Sequence, residues 1–322
     1  IMSRKNLLAN KLICIFSVFA LITSLLGGCS KPETSDNSES DVVIFTDALD
    51  REVTVEKNPE RVASLLGSFA DTWINAGGTL CGAVEDAWDD FDLDLGDAVN
   101  LGGAHSPNLE ALLSANPEFV IASASTSADV QMKETLENAG ITVAYFDVNN
   151  FYDYLSMLDI CTDITGRKDL YKKNGLETQE QIEEIKDKFN KANLTEEKRT
   201  VLLLRTSSNL LKAKGSDGTV LGEMLSDLGC VNIADSDESL LENLSVESII
   251  RQEPYRIFAV SMGEEEAAFD NLTKTMEENP AWGKLSAVEN DRLHMMDKKL
   301  FNLKPNANWA KAYEKLVEIL LS

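Results

Sequence analysis

Short apolar runs alternate with amphipathic segments along most of this chain, and the alternation occurs twice. Runs at Val62 to Leu66, Leu80 to Val84, Phe119 to Ala122 and Thr142 to Phe146 read as strands. Between them, Asp71 to Ala76, Leu109 to Ala115 and Val130 to Ala139 carry helical spacing. A second series follows, with strand-like runs at Val201 to Leu204, Val231 to Ala234, Ile257 to Val260 and Leu293 to Met296 and helices at Leu221 to Leu228 and Val246 to Gln252. Strands that alternate with helices imply parallel pairing through crossover helices, so the expected class is α/β in two lobes. Ahead of the first series, Val42 to Val55 alternates around Asp47 to Asp50 as a hairpin would.

Between the two series, Tyr152 to Asn193 holds no proline and keeps helical spacing through Tyr154, Leu158, Cys161 and Ile164, then Ile182, Ile185 and Phe189. It is expected to be a helical connector, with Gly166 and Gly175 as places for a bend or cap. An amphipathic helix over Trp309 to Leu321 closes the chain. The resulting division is 42–150 for the first lobe, 151–196 for the connector and 197–322 for the second lobe. The halves also echo in detail: Asp71 and Glu223 each stand six residues before a glycine (Gly77 and Gly229), and Glu110 and Glu247 each stand seven before a proline.

Residues 1–28 hold Arg4, Lys5 and Lys11, the apolar run Leu12 to Leu26 and no acidic residue, which is the layout of an export signal. The run falls short of the roughly 20 residues needed to span a bilayer. It ends in Leu26, Gly27, Gly28 and Cys29, matching a lipoprotein signal in which the Cys29 thiol is lipidated. Residues 29–41 are polar and read as a flexible tether. The expectation is an extracytoplasmic protein, held on the outer face of the cell membrane by its lipid anchor.

Removing the three basic residues of the signal shifts the net charge from −24 to −27. A surface of that sign repels nucleic acid and anionic headgroups and favours a cationic ligand or a basic docking site. Cys81, Cys161 and Cys230 remain after processing, an odd number without a CxxC pair, and are expected to be buried free thiols. No nucleophile elbow, phosphate loop or dinucleotide fingerprint occurs, and His105 and His294 are too far apart in the chain to suggest an acid–base pair, so an enzyme is not expected. The acidic stretch Glu85 to Asp97 holds seven carboxylates. It fails as a calcium loop because Leu95 stands where the turn glycine belongs.

The run Arg61 to Gly77, then Leu101 to Gly103, Ser106 to Glu110 and Asn116-Pro117, resembles the substrate-binding proteins of ABC importers for iron-siderophores, haem and cobalamin. The likeness continues through Thr219 to Ala234 and Leu244 to Pro254. That resemblance implies two Rossmann-like α/β lobes joined by one long helix, a ligand cleft between them, a monomer without a cofactor, and a ligand that is a ferric chelate, haem or cobalamin. It also implies partners, a permease and its ATPase, with a carboxylate on each lobe pairing with permease arginines. By position those are Asp71 and Glu223, Asp71 being one methylene shorter than the family's glutamate. Glu110 and Glu247 follow helix-start signals, and capping accounts for them.

In open parallel sheets ligands gather at the carboxyl ends of the strands. The loops placed there offer Ser68, Phe69, Trp88, His105, Ser123, Phe151, Arg205, Ser207, Lys299, Phe301 and Lys304 as cleft candidates. The aromatic ones would stack on a flat ligand. The basic ones would neutralise an anionic ligand, and His105 could ligate haem iron. An iron-siderophore is the first expectation, with haem or cobalamin, or a surface-adhesion role without a transporter, as alternatives.

Overall fold

Alternating side chains in Val42–Thr46 (β1) and Glu52–Glu56 (β2) form the expected antiparallel hairpin. The computed structural model describes residues 41–322, so the export signal, the Cys29 lipidation site and nearly all of the tether lie outside the described residues. The hairpin is tied to the first lobe by Asp47, whose Oδ2 accepts from the Arg51 guanidinium and from Tyr145 N.

The first lobe carries a five-stranded parallel sheet in the order β5-β4-β3-β6-β7, from Val62–Ser64 (β3), Gly82–Ala83 (β4), Val99–Asn100 (β5), Phe119–Ser123 (β6) and Thr142–Phe146 (β7). Helices Gly67–Asn75 (α1), Asp86–Asp89 (α2), Leu109–Ser114 (α3) and Ser127–Asn138 (α4) lie between its strands. β6 is buried along its whole length, as an apolar strand covered on both faces must be. Asn108 caps α3 by accepting from Ala111 N, so Glu110 lies in the first turn of a capped helix.

The connector is helical over Phe151–Ile164 (α5), Lys168–Tyr171 (α6) and Glu177–Lys191 (α7). The path breaks at 165–167, where Gly166 takes φ +67. A π-helical turn at Lys172–Leu176 joins α6 to α7, and a Cβ on its Gly175 would sit 2.7 Å from Leu155 Cδ1. Gly166 therefore bends the path as the sequence suggests, whereas Gly175 serves instead as a close contact with α5.

The second lobe has a sheet in the order β10-β8-β11-β12 from Thr200–Ser207 (β8), Val231–Asn232 (β10), Arg256–Ser261 (β11) and Leu293–Met296 (β12), all parallel. A strand the sequence did not reveal, Leu210–Lys214 (β9), pairs antiparallel with β8. Lys212 and Lys214 break its apolar run, so it carries little strand signal. The helices are Val220–Asp227 (α8), Glu238–Asn243 (α9), Val246–Gln252 (α10), Glu265–Glu278 (α11), Ser286–Glu289 (α12), Lys298–Phe301 (α13) and Trp309–Leu321 (α14). Ser245 caps α10 through Ser248 N, which accounts for Glu247 in the same way.

One apolar cluster runs through both lobes. It joins Phe119 and Phe146 of the first sheet, Tyr154 and Leu158 of α5, Leu203 and Phe258 of the second sheet, and Trp309 and Leu316 of α14. Polar bonds reinforce it: Asp227 accepts from Tyr313 Oη at 2.8 Å and pairs with Lys186 at 2.8 Å, tying α8, α14 and α7 together. Cys161 and Cys230 are buried free thiols, pushed by burial to about 12 and about 11, and Cys81 is half-buried and also free. His294 stacks on Phe258 with centroids 5.4 Å apart, and burial and then Arg256 lower its pKa, as for a structural histidine.

Candidate functional site

The carboxyl ends of the two sheets meet across the segment that follows β12. Lys298 Nζ lies 2.6 Å from Asp90, and Lys299 Nζ lies 2.5 Å from Asp92, so α13 of the second lobe is ion-paired to the acidic loop of the first. Further along, Asn306 reaches into the first lobe. Its Nδ2 donates to Ser68 O at 2.8 Å and to Asp71 Oδ2 at 2.7 Å. Asn306 is buried at φ +52, a left-handed conformation that asparagine tolerates better than most residues.

Between these fastenings lies Lys304. Burial lowers its pKa, and Asp147, Arg205 and Asp86 all lie within its electrostatic reach. Neither Lys304 nor Arg205 forms an ion pair among the described residues. Arg205 lies on β8, its pKa is lowered by burial, and its Nε is buried without a hydrogen-bond partner. Two cations without carboxylate partners, on a chain with 54 acidic and 30 basic residues, are costly unless something else binds them.

The first lobe faces them with acceptors. Asp86 opens α2 and packs against the start of α1; a Cβ on Gly67 would sit 2.8 Å from Asp86 Cγ, so only glycine allows this approach. Burial raises the Asp86 pKa, opposed by the Gly67 N–H, raised further by Asp90, and opposed by His105. Behind it, Asp129 at the start of α4 accepts from Ser123 N at 2.8 Å. Burial and the charge of Asp86 push its carboxyl up to about 7 against that bond. Asp86 Oδ1, Asp129 Oδ1, Ser68 Oγ and Ser261 Oγ are buried without partners. A hydrogen-bonding ligand would satisfy such groups.

Of the residues the sequence offers, the structure brings Ser68, Arg205 and Lys304 to this meeting of strand ends. Trp88 is half-buried on α2, and His105 is exposed within electrostatic reach of Asp86. Several others are corrected. Phe69, Phe151 and Phe301 are 2 %, 3 % and 2 % exposed and belong to the shared core. Phe69 packs edge-on against Phe146 and Phe151 against Trp309, so none of the three is free to stack on a ligand. Ser123 is buried with its hydroxyl 3.0 Å from that of Ser125. Ser207 and Arg205 lie within β8 and not in a loop, and the Ser207 hydroxyl contacts Asn209. Lys299 is occupied by Asp92. The sequence missed Asp86 as an individual residue because the whole acidic stretch reads as solvated loop.

Asp71 and Glu223 are less alike than their spacing suggests. Asp71 is the fifth residue of α1, half-buried, bonded to Asn306, and raised in pKa chiefly by burial. Glu223 lies in the first turn of α8 and accepts from Gly218 N at 3.2 Å. Among the described residues no group of three or more His, Cys, Asp or Glu side chains is placed to hold a metal ion, and no helix is long and apolar enough to cross a membrane.

Residues 62–300 match the periplasmic binding protein family. The chain is 29% identical over 303 residues to the Fe(3+)-citrate-binding protein YfmC of Bacillus subtilis (strain 168), covering 90% of each. It is 22% identical over 294 residues to the uncharacterized ABC transporter substrate-binding lipoprotein YvrC of the same organism, covering 88% of this chain and 89% of that one. Among solved structures it resembles Staphylococcus aureus SirA complexed with staphyloferrin B, with TM-score 0.64 and 18% identity over 86% of this chain and 97% of that one. It also resembles S. aureus IsdE complexed with heme, with TM-score 0.67 and 17% identity over 81% of this chain and 98% of that one.

Proposed function

The chain belongs to the periplasmic binding protein family and is a substrate-binding protein of an ABC importer; on that premise we propose that its cargo is a ferric chelate with an anionic face. The observation that carries this reading is the pair Arg205 and Lys304, half-buried cations at the meeting of the two sheets with no carboxylate ion pair among the described residues, the Arg205 Nε itself being buried without a partner. Carboxylate oxygens of a hydroxycarboxylate chelator would accept charge-assisted hydrogen bonds from both. The ferric-citrate-binding relative supports the same chemistry. Iron would arrive with its coordination sphere supplied by the chelator.

Haem is the weaker reading, because the three phenylalanines that would have stacked on it are packed in the core. We propose further that the protein is anchored through Cys29 outside the cell membrane, and that Glu223, with Asp71 as the weaker contact, meets arginines of the permease. Trp88 provides the test, as a half-buried indole on α2 beside Asp86. Tryptophan fluorescence of the lipid-free chain should be quenched by ferric citrate, weakly or not at all by haemin or cobalamin, and the response should shrink in Trp88→Phe. Quenching by haemin or cobalamin alone would overturn the chelate assignment.

A further inference from the structure

The unpartnered groups of the cleft are sorted by lobe. Donors stand on the second-lobe side, at Arg205 Nε and Lys304, and charged acceptors on the first-lobe side, at Asp86 Oδ1 and Asp129 Oδ1. A chelate that presents only carboxylates would satisfy the donors and meet Asp86 and Asp147 as like charges. Asp129 is wholly buried, so its free oxygen is not an exposed carboxylate left to water. Both acidic carboxyls are held above their usual range by burial, which the N–H groups of Gly67 and Ser123 oppose and, at Asp86, His105 opposes without cancelling it. Lys304 lies within electrostatic reach of Asp86 but makes no hydrogen bond to it.

We propose that the first-lobe wall of the cleft, Asp86 backed by Asp129, is a subsite for a protonated amine or a similarly strong N–H donor on the ligand. The inference rests on the chelate reading above and narrows it: the cargo is a mixed-charge ferric chelate, its anionic face on Arg205 and Lys304 and its amine on Asp86. Gly67 is part of this arrangement, since its missing side chain lets the Asp86 carboxylate approach the start of α1. Each half of the ligand meets its complement, and the wrong orientation sets like charges together.

Calorimetry with three probes tests it: ferric citrate, the ferric complex of a citrate monoamide of ethylenediamine with its terminal amine free, and the same complex with that amine acetylated. In the parent protein the free-amine complex should bind about tenfold or more tightly over its acetylated form, as expected for a charge-assisted bond. Asp86→Asn should bring that ratio to within about twofold, as loss of that bond requires, while tightening ferric citrate by removing a like charge. Asn at this position can still accept from Gly67 N–H. Asp129→Asn provides a second variant, expected to lower the same ratio. An amine preference that survives both substitutions, or an acetylated complex that binds the parent as tightly as the free amine, would overturn the inference. If ferric citrate binds and neither amide does, the amine subsite is overturned and the chelate reading stands. If none of the three binds, both fall.

Discussion

Asn306 Nδ2 lies 2.7 Å from Asp71 Oδ2, so the segment leading into the last helix of the second lobe holds a carboxylate of the first. The same nitrogen also donates to Ser68 O. Asn306→Ala loses both bonds and places a Cβ residue at positive φ, and should lower stability by about 2 kcal/mol. Asn306→Gly loses the bonds but adopts the left-handed conformation freely, and should cost less. Urea unfolding of the two variants checks the order; equal losses would mean that the backbone conformation contributes little.

Because Asp71 is engaged inside the chain and Glu223 is not bonded across the lobes, the two should contribute unequally to permease docking. Glu223→Ala is expected to lower iron uptake in cells more than Asp71→Ala, with ferric chelate affinity of the purified protein unchanged in Glu223→Ala. Uptake lowered equally by both would restore the symmetric pairing that the spacing suggests.

Arg205→Met and Lys304→Met should each weaken ferric citrate binding by about tenfold or more, the scale of one charge-assisted hydrogen bond. The same substitutions should leave the ligand-free protein as stable or more so, since each removes a half-buried cation without an ion-pair partner. Thermal unfolding with and without ferric citrate separates the effects. A variant that lost affinity together with ligand-free stability would indicate a structural cation.

The Asp129 carboxyl, held at about 7 against an ordinary 3.8, gives a defined pH signature. As pH rises between those values, the unfolded chain releases a proton that the folded chain keeps, so stability falls across the window. Asp129→Asn removes that loss and should gain about 2 kcal/mol over the parent at pH 8, with little difference near pH 4. Denaturation at the two pH values decides it; a constant offset would mean that the carboxyl titrates normally.

Of the two ion pairs between the lobes, Lys298–Asp90 is the more sheltered, with side chains 19% and 25% exposed against 53% and 76% for Lys299–Asp92. Lys298→Ala should cost about 1 kcal/mol and Lys299→Ala less than about half of that, the difference shrinking at high salt. Stability measured at low and high salt checks both statements.

The alternation of apolar runs and helical segments made both sheets legible, because a strand covered on two faces must be continuously apolar, as Phe119–Ser123 is. The short strand Leu210–Lys214, interrupted by Lys212 and ending in Lys214, lacked that continuous signal. In the cleft, Arg205 and Lys304 could be located from strand ends alone. What decided the fate of Lys299 was a partner 207 residues away in sequence, and no local pattern encodes that. Phe69, Phe151 and Phe301 misled for the same reason: an aromatic residue next to a strand end can point into the core or the cleft, and only packing tells which. The similar placement of Asp71 and Glu223 in the sequence concealed different surroundings, because Asn306 comes from a distant part of the chain.

The apolar cluster that runs from Phe119 through α5 to Leu203 and Leu316 bears on who does the work of delivery. A binding protein with separate cores can open on a hinge by thermal motion and drop its cargo unaided. Here, spreading the cleft would have to disturb a core common to both lobes, so slow release of cargo by the isolated protein is the expected behaviour. The energy for parting the lobes must then come from the transporter. Under the docking proposed for Glu223 and Asp71, the transporter would be the lever and the binding protein the stiff jaw that it pries apart.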